Sequence, residues 1–280
     1  MLFPVKYCFS KMGSGHPVFF ATIYELPING MTKISMDTQQ LLQNWYQQPA
    51  GQYLIELEKK VLDAFLPTCF GYYLLQMGGP THIDMTSASL IHEKIFMQPG
   101  SSAQCNVVGA AEEIPLESNS IDVMIVNHVL EFSDNPHSVL REIERVLRPE
   151  GYVIIFSFNP WGWFGLRRAL TFLGSKAPWN GRYFSATRII DWMKLLGITL
   201  LSQRRLMIIP PVNKTSAIQF LSPIDRWFSS FLWIPMSGVN VMIAKKEVST
   251  LTPVKPSWWQ RSILGVRSDI LRPTTRNNHE

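Results

Sequence analysis

One stretch constrains this chain more than any other. Residues 121–127, "IDVMIVN", are apolar without interruption from Val123 to Val126. Such a run fits a strand buried on both faces, as in a parallel sheet. A helix pattern follows over 134–148. Asp134 or Asn135 offers an N-cap, Pro136 stands in the first turn, and Val139, Leu140, Ile143, Val146 and Leu147 form one stripe. Arg141, Glu142, Glu144, Arg145 and Arg148 point away from it, with Glu144 and Arg148 spaced to pair. Pro149 and Gly151 stop the helix, and "YVIIFSFNP" at 152–160 reads as a second buried strand. Strand, helix and strand at this spacing make a βαβ unit with parallel strands and a right-handed crossover. Ligands of such sheets lie beyond the carboxyl ends of the strands. That rule places Asn127, His128 and Glu131 at the ligand edge after one strand. It places Asn159, Pro160 and Trp161 at the same edge after the next.

The surrounding pattern extends the unit. Residues 37–64 read as helix with a break at Pro49-Ala50-Gly51. "GYYLLQMGG" is a buried strand ending in a tight turn at Gly78-Gly79. Short strands fit 92–98 and 104–110. After 160, "WGWFGLRRALTFLG" is an aromatic loop running into a helix. "SATRIIDWMKLLG" is a helix with Ser185 as N-cap and Gly197 as its stop. "ITLLSQRRLMIIP" and "GVNVMIAKK" fit an antiparallel edge pair. The predicted fold class is α/β: a doubly wound, mainly parallel sheet with a helical N-terminal lead-in and an aromatic cap insertion. Residues 1–35 lack periodicity and read as a poorly ordered or untranslated extension, with Met31 and Met36 as later starts. Residues 36–248 form the domain, with cap insertions at about 159–184 and 211–236. Residues 249–280 read as a basic disordered tail.

Composition narrows the function classes. Of 280 residues, 46% are hydrophobic and 17% charged, which suits a globular chain with a sizeable core. The formal charge of +5 gathers partly in the tail, at Lys255, Arg261, Arg267, Arg272 and Arg276. This reads as a solvated tail, with a nucleic-acid or anionic-membrane contact as the sharper alternative. No separate basic RNA-binding module is evident, so no clear nucleic-acid partner is expected. Cys8, Cys69 and Cys105 lack paired spacing, which argues against a disulfide framework or a zinc site and for a reducing cytoplasm. No apolar run reaches the roughly 18 residues of a transmembrane segment. Trp161, Trp163 and Phe164 beside Arg167 and Arg168, and "FLSPIDRWFSSFLWIP" at 220–235, suit either a packed cap or peripheral contact with the inner membrane face.

The run "VVGAAEEIPLESNSIDVMIVNHVLEFSDNPHSVLREIERVLRPEGYVIIFSFNP" resembles the class I S-adenosylmethionine-dependent methyltransferases. Within them it is similar to the small-molecule branch called type 11. The resemblance implies S-adenosylmethionine as cofactor and a small molecule, in one reading hydrophobic, as methyl acceptor. It carries cofactor contacts onto Gln76, Gly78, Gly79, Ala110, Ala111, Glu112, Asn127 and His128, and acceptor contacts onto Glu131, Asn159 and Trp161. No catalytic residue is assigned. His128 is a weak candidate for a general base, against a cofactor contact or local packing.

The chain departs from the family pattern in several places. Gln76 stands where an acid is usual, and only Gly78 and Gly79 remain of a GxGxG loop. Gln98 stands near the ribose-binding acid, and Ala110-Ala111 replaces an acid-small pair, with Glu112 slightly late. The helix between the first two strands is expected to be shortened or lost. Two readings follow: a methyltransferase, since methyl transfer asks mainly for alignment and exclusion of water, or a non-catalytic scaffold of the same fold.

Overall fold

A computed structural model of the chain describes residues 33–99, 106–170, 178–207, 210 and 237–247. The expectations for most of the N-terminal extension, for 211–236 and for the tail lie outside these residues. Two helices lead in, α1 (Lys33–Tyr46) and α2 (Pro49–Phe65). Gln48 is extended and Pro49 opens α2, a position where its missing N–H costs nothing. Gly51 is required by the bend, because a Cβ there would stand 2.3 Å from the Trp45 carbonyl oxygen.

Strands β1 (Tyr73–Gly78), β2 (Glu93–Gln98), β3 (Val107–Val108) and β4 (Ile121–Asn127) follow. Helix α3 (Pro136–Val146), strand β5 (Leu147–Phe158) and helices α4 (Trp163–Leu170) and α5 (Ala186–Leu195) come next. Strands β6 (Ile198–Leu206) and β7 (Val239–Lys246) complete the sheet, whose order is β3-β2-β1-β4-β5-β7-β6. The first five strands are parallel, and β7 runs antiparallel to both β5 and β6. This is the doubly wound, mainly parallel sheet that the sequence predicts.

Alternation along the central strands divides the core. Val123, Ile125, Ile154 and Phe156 pack toward α1 and α2. Met124, Val126, Val153 and Ile155 pack toward α3 and α5. The Asn135 side chain caps α3 by accepting from the Ser138 N–H, and Ser185 caps α5 by accepting from Arg188. Residues 79–92, between β1 and β2, hold turns and no helix.

The expected Glu144–Arg148 pair does not form. Helix α3 ends at Val146, before Pro149 and Gly151, because Leu147 is already extended and begins β5. Arg148 therefore reaches Asp122 at 2.9 Å, and Glu144 meets Lys246 at 3.0 Å. Asp122 also accepts from the N–H groups of Tyr72 and Tyr73, which ties the start of β4 to the start of β1.

Leu140, fully buried on α3, is the keystone of that helix's apolar face. Leu140→Ala is expected to cost about 2–5 kcal/mol in urea denaturation. A loss below about 1 kcal/mol would contradict the packing described.

Candidate functional site

The tips of β1, β2 and β4 and the turn after β3 open onto one crevice. It is lined by Met77, Gly78 and Gly79, by Met97, Gln98 and Pro99, by Gly109, Ala111 and Glu112, and by Asn127, His128 and Val129. Helix α1 closes the outer side with Thr38, Gln39 and Leu42, and Phe132 and Ser133 complete the wall. The space measures about 640 Å³, counting the part open to solvent.

Backbone geometry makes the floor. Gly78 and Gly79 have φ of +69° and +81°, a region in which side chains are strained. A Cβ on Gly78 would stand 2.5 Å from the Asn127 carbonyl oxygen. One on Gly79 would stand 3.1 Å from Gln76 Nε2 and 3.2 Å from Asn127 Cβ. The two amide side chains thus flank the glycine turn. Gln76 Nε2 donates to the Gly78 carbonyl, and Asn127 Nδ2 donates to Glu58 Oε2 at 3.3 Å. Their oxygens, Gln76 Oε1 and Asn127 Oδ1, are buried without a hydrogen-bond partner. Gln43 of α1 clamps the same turn: its Nε2 donates to the Gly79 carbonyl at 2.7 Å, and its Oε1 accepts from Thr81 N–H at 3.0 Å.

Behind the β4 tip lies a buried ionic cluster. His128 Nε2 is 2.8 Å from Glu58 Oε1, and its Nδ1 is 3.3 Å from Glu131 Oε1. All three side chains are inaccessible to solvent. Burial alone would lower the His128 pKa, but the Glu58 and Glu131 carboxylates outweigh it and raise it to about 9. The imidazole is therefore cationic at neutral pH. Its ring also stacks on Phe158, with centroids 3.9 Å apart.

Of the residues expected to meet cofactor, Gly78, Gly79, Ala111, Glu112, Asn127 and His128 line the crevice. Gln76 lies just beneath it, and Ala110 stands one residue before, bridged to Glu113. Glu112 is bonded to the Ser133 hydroxyl. The expected acceptor residues are placed otherwise. Glu131 is buried and accepts from the Phe158 N–H at 2.6 Å. Asn159 is buried and donates to the Ser237 carbonyl at 3.0 Å, joining the ends of β5 and β7. Trp161 is exposed and stands off the crevice. Both ring nitrogens of His128, the candidate base, face carboxylates.

Residues 76–155 match the family described as "Methyltransferase domain". The fold is that of the class I methyltransferases. It is 29% identical to the uncharacterized protein YafS of Escherichia coli over 167 residues, 59% of this chain and 69% of that one. It is 26% identical to a malonyl-[acyl-carrier protein] O-methyltransferase of Erwinia pyrifoliae over 226 residues, 78% of this chain and 80% of that one. A solved S-adenosylmethionine-dependent methyltransferase of Thermotoga maritima superposes with a TM-score of 0.55 at 16% identity, over 76% of this chain and 99% of that one.

Sequence reasoning missed three parts of this site: Glu58, Gln43 and the α1 wall. Only Glu58 left a signal, as a carboxylate among Leu54, Ile55, Val61 and Leu62 on the buried face of α2.

A histidine whose folded pKa exceeds its ordinary 6.5 adds stability that is complete below that value and lost as pH rises to about 9. Thermal stability of the wild type is expected to fall across that window by on the order of a few kcal/mol. His128→Asn, which tolerates the positive φ, should be less stable and flat across it. An equal slope in the variant would refute the ionic cluster.

Proposed function

We propose that the chain is an S-adenosylmethionine-dependent methyltransferase acting on a small acceptor. The observation that carries this reading is the pair of partnerless amide oxygens, Gln76 Oε1 and Asn127 Oδ1, on either side of the glycine turn at the strand tips. Buried acceptors without donors are costly unless a ligand completes them. A ligand ammonium supplies such donors, and the amides of Asn127, on the crevice wall, and Gln76, beneath it, would accept from the amino-acid end of the cofactor once turned toward it. Gln98, at the β2 tip, would give and accept one hydrogen bond each with ribose hydroxyls. The Ala110–Glu112 turn would border the adenine. The bound cofactor supplies an electrophilic methyl group. The chain's own work is to orient both partners and exclude water, and the α1 residues Thr38, Gln39 and Leu42 do the latter by covering the crevice.

Leu42, Val129 and Phe132 around the opening favour a hydrophobic acceptor. The acyl-carrier-protein-bound carboxylate in the name of the Erwinia relative is the first acceptor to assay. A non-catalytic scaffold is the second reading, favoured by neutral Gln76, Gln98 and Ala111 where acids are usual. Among the described residues no helix is long and apolar enough to cross a membrane. A peripheral membrane contact draws support from exposed Trp161 and Leu166 beside exposed Arg167 and Arg168.

Calorimetry with S-adenosylmethionine and S-adenosylhomocysteine tests the proposal. Dissociation constants on the order of micromolar are expected, and Gly78→Ala should weaken them about tenfold or more, because its Cβ collides with the Asn127 carbonyl. Absence of heat at millimolar ligand would favour the scaffold.

A further inference from the structure

We infer that Glu58, on helix α2, is a positioning residue that orients Asn127 so that its amide oxygen meets the cofactor's ammonium group. The inference rests on the cofactor reading above and adds to it a residue outside the strand tips.

An asparagine amide has two ends of similar shape and opposite hydrogen-bonding character. Which end faces a ligand is decided by what holds the other. Glu58 Oε2 lies 3.3 Å from Asn127 Nδ2. A carboxylate only accepts, so it fixes the NH2 end inward and leaves Oδ1 directed away from it. That oxygen is buried and has no protein partner, and Asn127 lines the crevice beside Gly79. Glu58 is itself held in place. Its other oxygen binds His128 Nε2 at 2.8 Å, and His128 is braced from behind by Glu131. Glu58 is fully buried at the crevice-side edge of the sheet, on a face otherwise made of Leu54, Ile55, Val61 and Leu62. A charge at such a position is costly unless its bonds are specified.

Gln76 follows the same logic with a backbone partner. Its Nε2 is taken by the Gly78 carbonyl, and its Oε1 is left over. Both oxygens are neutral acceptors at a place where a carboxylate is usual in the family.

The test uses two ligands with the full chain. S-Adenosylhomocysteine carries the ammonium, and 5′-methylthioadenosine keeps the adenosine and thioether but lacks the amino-acid part. Glu58→Gln can donate as well as accept, so it lets the Asn127 amide turn over. It is expected to weaken S-adenosylhomocysteine about tenfold or more while 5′-methylthioadenosine changes by about twofold at most. Asn127→Ala should do the same, and adding Glu58→Gln to it should weaken S-adenosylhomocysteine no further. A general loss of packing would weaken both ligands alike and would overturn the assignment, as would additive effects in the double variant. Should Glu58→Gln not fold, Glu58→Asp retracts the carboxylate by one methylene and keeps its charge. An unchanged ratio of the two affinities in that variant would also overturn it. Failure of the wild type to bind either ligand would instead remove the cofactor reading on which the inference stands.

Discussion

A histidine held between two carboxylates, out of reach of water, fixes how three parts of the chain meet. Glu58 comes from α2, His128 follows β4, and Glu131 grips the Phe158 N–H at the end of β5. Charged groups placed so deeply are costly unless every one is matched. Helix α2 cannot slide along the sheet without leaving a carboxylate or an imidazolium alone. The seat of α2 in turn fixes α1, because only Tyr46, Gln47, Gln48 and Pro49 carry the bend between them and Gly51 lies against the Trp45 carbonyl. The outer wall of the crevice is thus set by an ionic cluster beneath its floor.

That dependence matters because the crevice has few other fixed charges. No helix follows the glycine turn, so no helix N-terminus faces the β1 tip. Gln76, Gln98 and Ala111 are neutral. What remains is hydrogen-bonding capacity whose direction is imposed by neighbours: the Gly78 carbonyl for Gln76, Glu58 for Asn127, and Gln43 for the turn itself. Neutral amides can serve where acids are usual only if they are kept from rotating. The chain spends buried contacts on that restraint.

The architecture was legible where burial dictates composition. Strands β4 and β5 are sealed on both faces, so their apolar runs could be read directly, and the caps at Asn135 and Ser185 rest on local chemistry. The site was legible only along the backbone. Gly78, Gly79, Asn127 and His128 follow from strand tips and parallel topology. The inward placing of Glu131, against His128 and the Phe158 N–H, was not legible, because both partners are set by the fold and a polar residue just past a strand tip reads as a ligand contact. The Glu144–Arg148 spacing misled for a related reason. Their partners, Lys246 and Asp122, are distant in sequence and adjacent only in the folded sheet. Glu58 was detectable in principle, as an acid on an apolar stripe, but its partner could not be named without knowing which strand tip α2 crosses.

A chain of aromatic contacts lies against the same cluster. His128 stacks on Phe158, Phe158 on Phe164 at 4.7 Å, and Phe164 on Trp179 at 5.2 Å, with Arg167 over the Trp179 ring at 4.4 Å. Trp45 of α1 meets Phe158 and Phe164 edge-on. Rings in such contact exclude both water and ligand from the space between them. Among the described residues they are a packed wall that backs the ionic cluster and keeps its dielectric low. Among the described residues the crevice at the β4 tip is bordered on its other side by Gln39, Leu42 and Phe132. The lead-in helix α1 thus shapes the crevice as directly as the strand tips do, through Thr38, Gln39 and Leu42.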